Sequence, residues 1–182
     1  MKKLFFFLTT LLVFTSCEED VKFNNPSMQA MNGEVLFRAT DPRVTYNLGG
    51  GITISGEFGF ETMELKIASA APGIYKFGLN SNTVAYYKYD ADGLVLEYST
   101  IGGVENPDLQ SDLGQIIIYE PTHPKASKIP GTISGEFKFN GKLINNNPFG
   151  AMNVFFQDGH FYGLKLQDID TGGDDDDDDI QP

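Results

Sequence analysis

From Met28 to Leu166 apolar and polar residues alternate with a period of two, and no stretch of ten or more residues carries a helical period. Ile52, Ile54 and Phe58 alternate with Thr53, Ser55 and Glu57; Met63, Leu65 and Ile67 alternate with Glu64 and Lys66. Successive side chains of a strand point to opposite faces, so this pattern describes strands with one buried and one wet face. Further strands are expected at Met28–Ala30, Glu34–Ala39, Ile74–Leu79, Thr83–Tyr89, Leu94–Thr100, Gln115–Tyr119, Thr132–Phe139, Ala151–Phe156 and His160–Leu166. Met31-Asn32-Gly33, Asp90-Ala91-Asp92-Gly93 and Gln157-Asp158-Gly159 separate adjacent pairs and end in the glycine that hairpin loops favour. Prolines 107, 121, 124 and 130 keep the long segments 101–113 and 120–130 out of the sheet. The expectation is an all-β domain over 28–167, an antiparallel β-sandwich or barrel of roughly ten strands.

The N-terminus reads differently. Met1, Lys2 and Lys3 precede an apolar run from Leu4 to Phe14, the length of a signal-peptide core and too short to span a bilayer as a helix of roughly 20 residues. Thr15 and Ser16 then lead into Cys17, the only cysteine. Phe14-Thr15-Ser16-Cys17 resembles a lipobox, in which the thiol takes a diacylglyceryl group and a peptidase cuts before the cysteine. Phe14 departs from the usual Leu, Val or Ile. The resemblance implies a cleaved signal peptide at 1–16, a lipidated N-terminus and linker at 17–27, and a membrane partner reached through lipid at Cys17. Glu18, Glu19 and Asp20 follow directly, and this acidic cluster is similar to the signal that displays lipoproteins of Bacteroidota-type bacteria on the outer face of the outer membrane; a solvated tether is the plainer account. With Cys17 acylated no thiol remains for a disulfide, so stability must come from an apolar core.

The formal charge of −12 is unevenly placed. Residues 168–182 hold eight aspartates and no base, whereas 21–167 carry only −3. The tail is expected to be disordered. Asp168, Asp170 and Asp174 around Gly172 and Gly173 loosely resemble a calcium loop, but no bidentate glutamate follows. A near-neutral body beside an acidic tail has no electrostatic footprint for nucleic acid.

Ile54-Ser55-Gly56-Glu57-Phe58 recurs as Ile133-Ser134-Gly135-Glu136-Phe137. A duplicated half-domain would explain the echo, and so would two strands meeting the same packing need. In each copy a glycine interrupts a strand, which marks a bulge or a close backbone approach. The order of motifs carries a wider resemblance: Met28-Gln29-Ala30, Asn32-Gly33-Glu34, Phe37-Arg38-Ala39, Ile54-Ser55-Gly56, Pro72-Gly73-Ile74-Tyr75, Gly114-Gln115-Ile116-Ile117-Ile118, Ile133 to Phe139, and Asp158-Gly159-His160-Phe161. Together these resemble an uncharacterised family of Bacteroidota lipoproteins, a domain of unknown function covering about 27–166. The family implies no catalytic residue.

Candidate chemistry is sparse. His123 and His160 lack neighbours at zinc-ligand spacing, so no metal site and no cofactor is expected. Gly49-Gly50-Gly51 lacks the lysine and helix of a phosphate loop, and Gly131-Thr132-Ile133-Ser134-Gly135 has the wrong spacing for a nucleophile elbow. Glu57, Glu61, Glu64 and Glu136 are the carboxylates from which a glycoside-hydrolysing pair would be drawn, though alternation places them toward water. Tyr86 points opposite to Tyr87 and Tyr89; one face would enter the core, and the other would offer a platform for sugar rings or pair across strands. The expectation is a non-enzymatic binding or structural envelope lipoprotein with a glycan or protein ligand. A surface hydrolase or accessory subunit acting on glycans, and an adhesin-like protein, are the alternatives.

Overall fold

The computed structural model describes residues 26–48, 50–78, 82–101 and 113–167. The signal segment, Cys17, the acidic cluster at 18–20, most of the segment 101–113 and the aspartate tail lie outside the described residues. Among those described there are eleven strands and no helix. They are β1 (Ser27–Asn32), β2 (Val35–Arg38), β3 (Arg43–Tyr46), β4 (Ile52–Phe58), β5 (Glu61–Ile67), β6 (Gly73–Lys76), β7 (Val84–Ala91), β8 (Leu94–Ser99), β9 (Gly114–Ile118), β10 (Thr132–Leu143) and β11 (Asn153–Gln167).

The strands hydrogen-bond in the order β2-β1-β11-β3-β4-β5-β7-β8-β10-β9-β6, and β11 also pairs with β10, which closes a ring. Two joins in that ring are only two residue pairs long: Leu166 and Gln167 beside Val44 and Thr45, in parallel, and Lys142 and Leu143 beside Ser99 and Tyr98. These short joins act as corners. The body is thereby a flattened barrel with a six-stranded layer, β2-β1-β11-β10-β9-β6, facing a five-stranded layer, β3-β4-β5-β7-β8. Sandwich and barrel, the two architectures expected, are here one object. The chain changes layer at 39–42, where Thr40 donates its N–H to the Glu57 carbonyl.

Between the layers lies an aromatic core. Phe139 and Phe156 stack at 4.9 Å, Tyr87 leans on Phe156 at 4.9 Å, and Phe37 meets Phe156 edge-on at 6.3 Å. Ile52, Ile54, Met63, Leu65, Ile67 and Ile116 fill the space around them and are fully buried. These are the inward positions of the two-residue period.

Two local expectations are corrected. Gln157-Asp158-Gly159 is not a hairpin turn: β11 runs unbroken from Asn153 to Gln167. The register slips there against both neighbours, from Phe139↔Phe156 to Phe137↔Gly159 on β10 and from Met31↔Gln157 to Gln29↔His160 on β1. Asp158 stands at φ 49°, a left-handed conformation that Asp tolerates in bulges as well as in turns. Strands on both flanks hold the segment straight, so it bulges rather than reverses. By contrast Asp92 and Gly93, at φ 51° and 82°, form the two-residue loop that Ala91↔Leu94 pairing closes. The second correction is β3. Arg43-Val44-Thr45-Tyr46 buries only Val44 and is too short to show a period.

The repeated pentapeptides occupy different layers. In β4 the register passes Gly56 without a slip, and the facing Ala39 methyl and Met28 sulfur leave no room for a side chain. In β10 the register slips between Ile133 and Gly135, and a side chain at Gly135 would strike the Ile117 carbonyl and the Phe161 ring. The extra residue of that slip lies on β11, so Ser134 keeps the outward phase of Glu136 and Lys138, but the 120–131 loop covers it, and its Oγ accepts the Ser127 N–H at 3.1 Å and the Gly163 N–H at 3.0 Å. Ser55 keeps an ordinary outward position, opposite Arg43 and Glu64.

Candidate functional site

The central strands of the six-stranded layer present one continuous outer row. Register places Arg38, Gln29, His160, Glu136, Ile117 and Ile74 side by side across β2, β1, β11, β10, β9 and β6. The β11 bulge sets this row: without the extra residue His160 would point inward. Glu136 and His160 are direct cross-strand partners, a relation that holds Cβ atoms roughly 4.5–5.5 Å apart.

Glu136 is oriented from its other side. Tyr119, just past β9, donates its hydroxyl to Glu136 Oε2 at 2.8 Å. The His123 ring stacks on Tyr119 at 4.0 Å, and its Nδ1 accepts the Lys125 N–H at 3.2 Å, so the neutral ring carries its proton on Nε2. Burial, and then the bond to Glu136, push Tyr119 well above the ordinary tyrosine value, which keeps its hydroxyl a donor. His123, Tyr119, Glu136 and His160 thus form a chain of four side chains, two from the segment after β9 and one each from β10 and β11.

Two adjoining clefts lie along β10. One, of about 230 Å³, is lined by Gln115, Glu136, Lys138, Asp158 and His160 above Ile117. The other, of about 550 Å³, continues past Lys138 and Asp158 to Asn140, Gln157 and Phe155. Phe155 lies opposite Asn140 and is 50% exposed. Lys138 and Asp158 line both clefts, and among the described residues the only ion pairs are Arg43 with Asp41 and Lys88 with Asp90, at β3 and β7 and away from the groove. The Asn140 Oδ1 is buried without a hydrogen-bond partner. Lys138 and Asp158 thus stand in the groove without an ion partner from the fold.

The carboxylates singled out from sequence do not assemble into a pair. Glu57 and Glu64 lie exposed on the five-stranded layer, and Glu136 lies on the opposite layer. Glu61 turns toward Tyr87; burial raises it above the usual carboxylate range, and the bond from the Tyr87 hydroxyl opposes that rise. The tyrosine platform is likewise absent. Tyr87 is buried and pairs across strands with Tyr98 at 6.0 Å, while Tyr86 faces outward alone and donates to Glu97 at 2.8 Å. Among the described residues no three His, Cys, Asp or Glu side chains are placed to hold a metal ion, and no helix is long and apolar enough to cross a membrane. Lys138, Asn140 and Asp158 were not legible as site residues, because alternation marks Lys138 only as a wet position, Asn140 falls just past the expected strand, and Asp158 reads as a turn residue.

Fold and groove define a class: a flattened antiparallel barrel with a polar groove on one outer face. Within that class the chain belongs to the family described as Domain of unknown function (DUF6252), which matches residues 24–165. No curated protein and no solved structure is significantly similar to this chain.

Proposed function

We propose that this protein is a lipid-anchored lipoprotein of the cell envelope, held at the outer membrane through Cys17 and facing the cell surface, whose β-domain binds a ligand without transforming it. The apolar run, the Thr15-Ser16-Cys17 segment and the acidic cluster after it support the anchor and the display. The groove along β10 supports the binding role, and one observation carries it: Lys138 and Asp158 line both of its clefts and enter no ion pair among the described residues. Exposed polar side chains that the fold leaves without an ion partner are open to a ligand's hydroxyls or amides. Ser27, where the tether enters the sheet, pairs with Tyr162, while Phe155 lies toward the other end of β11.

A surface hydrolase or accessory subunit acting on glycans is the rival, favoured by Glu136 and Asp158 sharing one cleft. Release of reducing ends from polysaccharide, abolished in Glu136→Gln, would establish it in place of binding alone. For the anchor, wild-type cells fed radioactive palmitate should label this protein and Cys17→Ser cells should not. Unchanged labelling in the variant would refute the lipobox, and a body that survives protease on intact cells would refute surface display.

A further inference from the structure

We infer that the groove over β9, β10 and β11 takes an extended, uncharged carbohydrate chain, an inference that rests on the binding reading above and names its ligand class. Residues Gly135 to Phe139 are paired with β9 on one side and with β11 on the other. The groove floor thus has no open strand edge, and a peptide could not add to it as a further strand. Recognition falls to side chains. Gln115, Gln157 and Asp158 are planar amides or carboxylates able to meet two neighbouring hydroxyls at once, Glu136 accepts from Tyr119 through Oε2 and offers Oε1, and Lys138 adds three donors. At one end the half-exposed Phe155 ring offers a flat apolar surface for the C–H face of a pyranose.

Charge and shape narrow the class. Two carboxylates against one lysine repel sulfated, phosphorylated or uronate-rich chains. From Glu136 to Asn140 the groove follows β10 for roughly 13 Å, longer than a single pyranose ring, and it lies open on the sheet face rather than enclosed in the core. A chain can lie along it; a small molecule finds little enclosure.

The test uses the full mature chain on a microarray of neutral oligosaccharides, with dextran sulfate and a random peptide library as comparisons, followed by calorimetric titration of the hits. Saturable binding to neutral oligosaccharides is expected, with none to dextran sulfate. Phe155→Ala should weaken binding by roughly tenfold, as should Lys138→Ala combined with Gln157→Ala. All three side chains are exposed, so folding should be kept. Phe60→Ala, an exposed ring on the β4–β5 turn, should change nothing. Binding indifferent to Phe155→Ala, or a preference for dextran sulfate, overturns the inference. Selection of peptides whose binding depends on Phe155 would overturn the carbohydrate class and keep the binding role. Silence from both oligosaccharides and peptides would overturn both.

Discussion

Ser134 and Ser55 occupy the same place in two identical pentapeptides, so the same substitution at each isolates what tertiary position contributes. Ser134 is 3% exposed, and its Oγ accepts two buried backbone N–H groups, from Ser127 in the 120–131 loop and from Gly163 in β11. Alanine leaves both donors without a partner inside the protein, at about 1–3 kcal/mol each. The loop end at Ser127 lies near the surface and can take up water, which lowers the total, so the net loss should be about 2–4 kcal/mol. Ser55 has a half-exposed outward position, and Ser55→Ala should stay within about 0.5 kcal/mol of wild type. Urea unfolding of the purified protein reads this directly. With a slope of about 1–3 kcal/mol per molar for a domain of this size, Ser134→Ala should move the midpoint down by about 1–2 M, and Ser55→Ala should leave it in place. Equal midpoints for the two variants would refute the two-donor role of Ser134. A changed slope would mean that the loop detaches already in the native state.

Three further outcomes are expected. Phe156→Ala removes the ring at the centre of the Phe37, Tyr87 and Phe139 contacts and should cost about 3–5 kcal/mol, a large part of a total near 5–15 kcal/mol with no disulfide to compensate; a midpoint shift as small as that of Ser55→Ala would deny the aromatic core its role. Burial raises Glu61 from its ordinary 4.5, so the native state holds that proton more tightly than the unfolded chain. Its contribution to stability is therefore full below about pH 4.5 and declines as pH climbs through the raised value, and Glu61→Gln should flatten that decline in urea midpoints measured against pH. At the groove, Glu136→Gln should lower the Tyr119 titration seen by ultraviolet absorbance yet leave it above free tyrosine, because burial is the larger cause; no change would break the link between the two side chains.

The two histidines and Glu136 were visible in the sequence as isolated residues, each more simply read as solvated. Nothing local joins them. His160 becomes the partner of Glu136 only because the β11 bulge shifts the outward phase from Phe155 and Gln157 to His160 and Tyr162. Tyr119 reaches Glu136 only because β9 pairs beside β10.

What the sequence determined alone was the alternation and the tight turns: side-chain phase along a strand and the φ preferences of Asp92-Gly93 depend on residues a few places apart. The missing disulfide and the need for an apolar core were equally plain, since they follow from a cysteine count. Tertiary structure decided the rest. Asp158-Gly159 carries the same local preference as Asp92-Gly93, yet one bulges and the other turns, because β1 and β10 flank the first on both sides. Strand pairing joins residues far apart in the chain, and the preferences of single residues do not encode which partner, or which of two layers, each strand meets.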